Sequence, residues 1–299
     1  MDEAIYEKYK LAGNIAADAR DYGKELIKPG VSVLEVANKV ESKIISNNAG
    51  LAFPVNISIN EIAAHYSPRH DDDLIFKKGD VVKLDVGSHV DGYIADTAIT
   101  VEVGTKKYND MIKASNDALA TAIDFMRPDV DLSELGKNVM ETINSYGFKP
   151  IDNLTGHSLQ KYVLHSGLNV PSVPDPSQRL KPKAGDVIAI EPFVTDGEGH
   201  VISGEGSNIY LCNKTFKSKF VRDRRYKIIY DRFIKEFGTL PFAQRWSQKL
   251  FDNNDMFSRK LSFLGLLKHY PQLIEAKKGI VTQKEHTVIV TEDGCEVTT

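Results

Sequence analysis

Several features that would mark a specialised class of protein are scarce in this 299-residue chain. Its two cysteines, Cys212 and Cys295, are too few and too far apart for a disulfide-stapled fold. No apolar run approaches the ~18 residues of a transmembrane helix, and the acidic start, MDEAIYEKYK, lacks the apolar core of a signal peptide. The net charge of −3 indicates no broad polyanion-binding surface. Because 41% of the residues are apolar, long disorder is also excluded, and we predict a cytoplasmic globular protein.

Two helices followed by strands occur twice along the chain. Apolar spacing predicts helices over residues 3–27, 33–45, 108–126 and 132–145, and strands over 51–59, 81–86, 93–103, 186–193 and 208–212. The sequence Gly-Asp-Val-Val-Lys-Leu-Asp, which ends at Asp85, is matched 106 residues later by one that ends at Glu191. Asp96 is likewise matched by Glu285, 189 residues later. The repetition predicts an α/β (α+β) fold of two halves related by a pseudo-twofold axis.

The second half carries extra chain between its two acids. Asp85 and Asp96 are 11 residues apart, whereas Glu191 and Glu285 are 94 apart. Within that interval, 214–276 is rich in Lys, Arg, Phe and Leu at helical spacing, and its aromatic residues need a core of their own. We therefore predict an inserted, mainly helical, winged-helix-like subdomain over 214–276, with 1–213 and 277–299 forming the main domain.

Two acids of the first half are expected to face each other across a β-hairpin. The Asp-Gly pair at 91–92 is a strong two-residue turn signal, and the pairing it sets places Asp85 opposite Ala98. Because side chains alternate along a strand, Asp96 points to the same side as Asp85. Two buried carboxylates repel each other unless a cation lies between them, so a divalent metal is favoured over a solvated strand face with incidental acids.

The repeat adds Glu191 and Glu285 at the positions equivalent to Asp85 and Asp96. Four carboxylates that converge at the pseudo-twofold centre call for about two divalent ions. Oxygen ligands with one added imidazole favour Mn, Fe or Co.

Three histidines are candidates for that imidazole or for contacts around the metals. His157 follows a Thr-Gly turn, which favours a place in the site. His65 and His165 each precede the acid-bearing strand of their half and are candidate equivalents that flank the metals. The plain alternative is that each is a surface or core residue, which a single histidine more often is.

At these residues the chain resembles the type II methionine aminopeptidases of the M24 family, in their compact archaeal form. The ordered Asp, Asp, His, Glu, Glu set is shared with the wider group of pita-bread metallopeptidases. The Ala-Ala-His segment ending at His65, the segment Gly-Thr-Leu-Pro-Phe at 238–242 and the insertion are typical of type II. The similarity extends over essentially the whole chain. It implies the pita-bread fold around a dinuclear metal site of Co, Mn, Fe, Zn or Ni ions.

The resemblance also implies an activity, which is removal of the initiator methionine from nascent polypeptides when the second residue is small and uncharged. By this resemblance the metal ligands are Asp85, Asp96, His157, Glu191 and Glu285, with Asp96 and Glu285 bridging. The catalytic residues are Glu191 as general base, His165 and His65, and the last two also bind substrate. The implied methionine pocket is lined by Phe53, Ile209 and Tyr270. We expect a monomer that associates transiently with the ribosome and does not bind a membrane.

One departure from the family pattern is Lys284, where relatives usually have an apolar residue; strand alternation predicts that its side chain points away from the metals.

The sequence leaves three alternatives open. A prolidase or aminopeptidase P usually has a large N-terminal domain, but only about 50 residues precede the first strand here. A metal-free binding protein of the same fold would have lost ligands, whereas all five are present. The basic run over 217–227 indicates either RNA contact or simply a solvated helix face.

Overall fold

The structure is a computed structural model that describes residues 1–213, 223–248, 250 and 254–299. Lys217, Lys219 and Arg222 of the basic run lie outside the described residues. The helices are α1 (Glu3–Leu26), α2 (Val33–Ser46), α3 (Asn109–Phe125), α4 (Leu132–Ser145), α5 (Arg224–Phe237), α6 (Gln244–Ser247) and α7 (Asn254–Phe263). None of these helices has the length and apolar character needed to cross a bilayer, within the ranges described.

Sixteen strands are described in the same ranges. They are β1 (Gly50–Leu51), β2 (Asn56–Ile59), β3 (Ile62–Ala64), β4 (Val81–Val90), β5 (Tyr93–Glu102), β6 (Lys149–Pro150), β7 (Thr155–Leu159), β8 (Asn169–Pro171), β9 (Val187–Ile190), β10 (Phe193–Thr195), β11 (Val201–Cys212), β12 (Phe242–Ala243), β13 (Leu267–Glu275), β14 (Val281–Gln283), β15 (His286–Val290) and β16 (Cys295–Val297).

The four helices predicted in the two halves are present, and their ends follow from local capping. Ser32 caps α2 by accepting a hydrogen bond from the backbone of Glu35, and Asp131 caps α4 by accepting from Ser133 and Glu134. Each helix buries one apolar face at intervals of three and four residues; the face of α2 comprises Val33, Val36, Ala37, Val40 and Ile44. Helices α1 and α2 cover the sheet of the first half, while α3 and α4 cover that of the second.

The hairpin that carries the first two acids has the predicted register. β4 and β5 pair antiparallel, with Asp85 opposite Ala98. Asp91 and Gly92 at the turn both have positive φ, 51° and 89°, as a two-residue turn of this type requires. The two carboxylates of this hairpin therefore lie on one face of the sheet, as expected from the sequence.

Two of the predicted strands that carry or flank site residues are interrupted. The strand expected over 51–59 breaks into β1 and β2 around Pro54, which has no backbone N–H to donate to a ladder. The strand expected over 186–193 ends at Ile190 and resumes at Phe193, so Glu191 and Pro192 lie in the break. Each break contains a site residue, Phe53 in the first and Glu191 in the second.

The two halves meet edge to edge at the acids. Ala98 of β5 forms a bridge with Glu285, whose backbone N–H donates to Ala98 at 3.1 Å. Thr287 Oγ1 accepts from the backbone of Asp96 at 2.8 Å and donates to its carbonyl at 2.8 Å. These bonds fix the acid of one half against the acid of the other.

The repeat of the two halves is approximate. In the second half His286 pairs with Ile190, so Glu285 and Glu191, one residue further along, face each other. In the first half Asp85 faces Ala98 and not Asp96. The sequence match of Asp96 with Glu285 is therefore two residues out of step with the strand register.

The described residues between Asn213 and Ala276 pack against β11. Helices α5, α6 and α7 enclose an aromatic cluster in which the rings of Phe237 and Phe242 stack with centroids 4.1 Å apart. β13 pairs with both β11 and β3, which extends this sheet to the first half. Arg245 forms a buried ion pair with Glu41 of α2, so these helices are tied to the rest of the molecule. The division into a main domain and an inserted subdomain stays a prediction.

Candidate metal centre

One cavity brings together every site residue predicted from the sequence. It is lined by Phe53, His65, Asp85, Asp96, His157, His165, Glu191, Ile209, Tyr270 and Glu285. Four further residues that the sequence analysis did not single out share its wall: Asn56, Ala64, Leu164 and Pro241. Ala64 and Leu164 precede the two outer histidines, so their place could have been inferred from the chain order.

The inner end of this cavity holds the acids and one imidazole at ligand distances. His157 Nε2 lies 3.7 Å from Asp96 Oδ2 and 3.6 Å from Glu191 Oε1. The ligand atoms of Asp96, His157 and Glu285 all lie within 4.8 Å of one another, and all three residues are buried. Ligands about 2.0–2.2 Å from a common ion are separated by up to about 4.4 Å, which is close to this spacing, so these three groups suit a single ion.

The electrostatics of the acids also fit a bound cation. Asp85 Oδ1 and Asp96 Oδ1 are buried without a hydrogen-bond partner, which is costly for a charged carboxylate. Burial raises the pKa of Asp85 to about 7. Burial, then repulsion from Asp85 and Glu191, raises the pKa of Asp96 well above its usual range, and the pKa values of Glu191 and Glu285 rise for the same reasons. A divalent ion would supply the missing partner and offset the repulsion.

The histidines of the cavity are held neutral by burial. Burial and the neighbouring His165 lower the pKa of His157 to about 3, so its ring nitrogen keeps the lone pair that a metal ligand needs. Burial lowers the pKa of His65 to about 4, and it also lowers that of His165, whose ring lies 4.3 Å from the ring of His157. Near neutral pH the three imidazoles can thus each offer one N–H and one lone pair.

The cavity changes character from its inner wall to its mouth. Phe53, Ile209 and Pro241 are buried and apolar on the inner wall. His165 has its ring in the cavity but keeps part of its surface exposed to solvent, while His65 and Tyr270 are half-buried and meet edge to face with ring centroids 5.4 Å apart. His65 has a φ of 67°, a left-handed conformation that is costly for a residue with a side chain and that often marks functional positions.

Gln283 is a site residue that the sequence analysis missed. It is buried, and its Nε2 donates to Glu191 Oε2 at 3.3 Å and to Glu285 Oε2 at 3.5 Å. Its own backbone is fixed by Thr100, whose Oγ1 accepts from Gln283 N at 2.8 Å. The signal in the sequence is its place two residues before Glu285, which puts both side chains on one strand face.

Lys284, between these two residues, is not part of the cavity lining. Burial lowers its pKa to about 8, and its charge interacts with Arg20, Asp21 and Lys24 of α1. This placement agrees with the prediction that its side chain points away from the acids.

The comparison with known proteins decides the family. The chain matches the model of metallopeptidase family M24 over residues 7–292. This chain belongs to metallopeptidase family M24. Its M24 relatives include the methionine aminopeptidase of Methanocaldococcus jannaschii, to which it is 46% identical over 299 residues, with 100% of each chain covered. The cluster of Asp96, His157 and Glu285 therefore belongs to a member of a metallopeptidase family, which supports a role in metal binding.

Two solved structures share the architecture. The methionine aminopeptidase from Rickettsia prowazekii superposes with a TM-score of 0.72 at 22% identity, over 100% of this chain and 98% of the other. A thermophilic Arx1 superposes with a TM-score of 0.86 at 16% identity, over 100% of this chain and 91% of the other. At these identities the likeness concerns the fold alone, and it confirms the α/β pita-bread fold predicted from the sequence.

Proposed function

We propose that this chain is a type II, archaeal-type methionine aminopeptidase. It would remove the N-terminal methionine from nascent proteins and peptides whose second residue is small and uncharged. The observation that carries the proposal is the convergence of four carboxylates and a neutral imidazole at the inner end of a cavity with an apolar wall. The methionine aminopeptidase relative, 46% identical over its full length, supports the same substrate.

Five residues would hold two divalent ions in this proposal. Asp85 would hold one ion, His157 and Glu191 would hold the other, and Asp96 and Glu285 would be shared by both. When bound, such a pair lowers the pKa of a shared water and polarises the scissile carbonyl. Co, Mn, Fe, Zn and Ni all suit a ligand set of carboxylates with one imidazole.

The remaining chemistry falls to side chains of this chain. Glu191 would take a proton from the attacking water as general base and pass it to the peptide nitrogen that leaves. His165, neutral and exposed at the mouth, would donate a hydrogen bond to the oxyanion that forms on the carbonyl. His65, on the other side of the mouth, would position the peptide nitrogen that leaves. Gln283 would orient the Glu191 carboxylate through the hydrogen bond that the Gln283 side-chain amide donates to it.

The inner wall would select the first residue of the substrate. Phe53, Ile209 and Tyr270 form an apolar surface that a flexible methionine side chain can fill. Because His65, His165 and Tyr270 crowd the mouth, a second residue with a small side chain fits best.

The cellular setting of the proposal follows from its substrate. A nascent protein is available in the cytoplasm, where we place the enzyme as a monomer. Arg224, Arg225 and Lys227 are exposed at the start of α5 and offer a basic surface for transient contact with ribosomal RNA. The inserted subdomain over 214–276 would carry that surface.

A pair of peptides tests the function directly. Protein reconstituted with Mn or Co should release methionine from Met-Ala-Ser and leave Ala-Pro-Ala intact. It should also leave N-acetyl-Met-Ala-Ser intact, because an exopeptidase of this kind needs a free α-amine. Preferential cleavage of Ala-Pro-Ala would instead assign the chain to the Xaa-Pro peptidases.

A further inference from the structure

A positively charged side chain, that of Lys268, lies beside the mouth of the cavity on the strand that carries Tyr270. Lys268 precedes Tyr270 by two residues on β13, so both side chains leave the same face of the strand. Lys268 pairs with Leu211 of β11, two residues from Ile209, so Ile209 shares this face as well. Ile209 and Tyr270 line the cavity. Lys268 is exposed near the start of β13, away from the residues of β13 that pair with β3.

The contacts of Lys268 place its charge beside the mouth residues. Its Nζ lies 4.8 Å from the centre of the Tyr270 ring, within the range of a cation–π interaction. Burial is the main cause of the lowered pKa values of His65 and His165, the two histidines at the mouth, and the charge of Lys268 lowers both further. Because Lys268 is exposed and interacts with all three mouth residues, it is positioned to contact a peptide that extends out of the cavity.

The part of a peptide substrate that follows the scissile bond would run past Lys268. In the proposed function, on which this inference rests, methionine fills the inner wall and the scissile bond lies at the acids. The chain beyond the bond leaves through the mouth, and each residue advances it by about 3.3–3.6 Å. The third and fourth residues therefore emerge near Lys268, while the first and second remain inside.

We propose that Lys268 is a specificity-determining residue that favours substrates with Asp or Glu at the third or fourth position and disfavours Lys or Arg there. The mechanism is charge attraction at a partly solvated site, so it is sensitive to salt. For two charges separated by about 7 Å in such surroundings, the expected change in kcat/KM is about threefold to tenfold.

Three peptides with one changed side chain test this proposal. C-terminally amidated Met-Ala-Glu-Ser, Met-Ala-Gln-Ser and Met-Ala-Lys-Ser are compared by kcat/KM at low salt and at 0.5 M salt. The wild type should prefer Glu to Gln and Gln to Lys, each by about threefold to tenfold, and high salt should weaken both preferences. Lys268→Met should make the three peptides nearly equal, and Lys268→Glu should reverse the order.

The control is Lys106→Glu, which makes the same charge change at an exposed lysine between β5 and α3 that does not line the cavity. It should leave the order of the peptides unchanged. A Glu-to-Lys ratio that is the same in wild type and Lys268→Glu, with methionine released from all three peptides, would overturn this inference alone. Failure of the metal-loaded wild type to release methionine from any of them would overturn the proposed function, and this inference with it.

Discussion

Replacing Gln283 with methionine should weaken metal binding without removing a ligand. The side chain is buried, and its Nε2 donates to both carboxylates of the second half, those of Glu191 and Glu285. Methionine has nearly the same length and volume, so the buried space stays filled while both hydrogen bonds are lost. The two carboxylates would then be free to turn away from the positions that suit an ion.

The expected size of the effect follows from the geometry. A hydrogen bond to a charged group is worth about 1.5–3 kcal/mol. The two bonds of Gln283 are long, at 3.3 and 3.5 Å, so together they contribute about 2 kcal/mol. At 1.4 kcal/mol per factor of ten, the affinity for the metal should fall about thirtyfold.

Isothermal calorimetry with Mn or Co on metal-stripped protein measures this loss. Gln248→Met is the matched control, because Gln248 contacts His70 and lines no part of the cavity. The control should bind metal as the wild type does. If Gln283→Met binds metal with wild-type affinity, the hydrogen bonds of Gln283 do not position the carboxylates, and our account of this residue is refuted.

Three further predictions address the histidines, the pocket and the acids. His165→Ala should lower kcat by about a hundredfold, the usual effect of losing one oxyanion donor, with normal metal content; loss of a metal equivalent would instead make it a ligand. Tyr270→Ala should reduce kcat/KM on Met-Ala-Ser by an amount equivalent to about 1–3 kcal/mol, and the variant should discriminate less against leucine at the first position. If Tyr270 is only structural, the melting temperature alone falls. Metal-free protein should lose stability as the pH rises from about 4 to 7. The pKa of Asp85 is raised from its ordinary 3.8 to about 7, so the folded state keeps a proton that the unfolded state releases, worth roughly 4 kcal/mol. Urea unfolding at pH 5 and 7.5, with and without Mn, checks the sign, and greater stability at pH 7.5 without metal would contradict it.

The sequence was most informative where structure is local. The turn at 91–92 set the register of β4 and β5, and Asp85 lies opposite Ala98 as predicted. The helices were predictable for the same reason, since caps such as Asp131 and an apolar stripe lie within a few residues of each other.

The site was predictable only for residues whose chemistry identifies them. Acids and histidines stand out as metal ligands, and all of those predicted line the cavity. Gln283 did not stand out, because an amide is not a typical ligand and its role depends on two carboxylates that the fold brings to it.

Contacts between distant segments could not be predicted. The position of Lys268 depends on the pairing of β11 with β13, which is interrupted by register shifts near Gly206. The ion pair of Glu41 with Arg245 joins residues 204 positions apart, and nothing local in either segment specifies the partner.

The central claim is that five residues hold a metal pair that hydrolyses the bond after an N-terminal methionine. The most direct test is Asp96→Asn, because Asp96 is the proposed bridging ligand of the first half and its Oδ2 lies 3.7 Å from His157 Nε2. Calorimetric titration with Mn or Co and release of methionine from Met-Ala-Ser should be measured on the same samples. Our account predicts two ions per chain and turnover in the wild type, and weakened metal binding with no turnover in the variant. Unchanged affinity and stoichiometry in Asp96→Asn would contradict it.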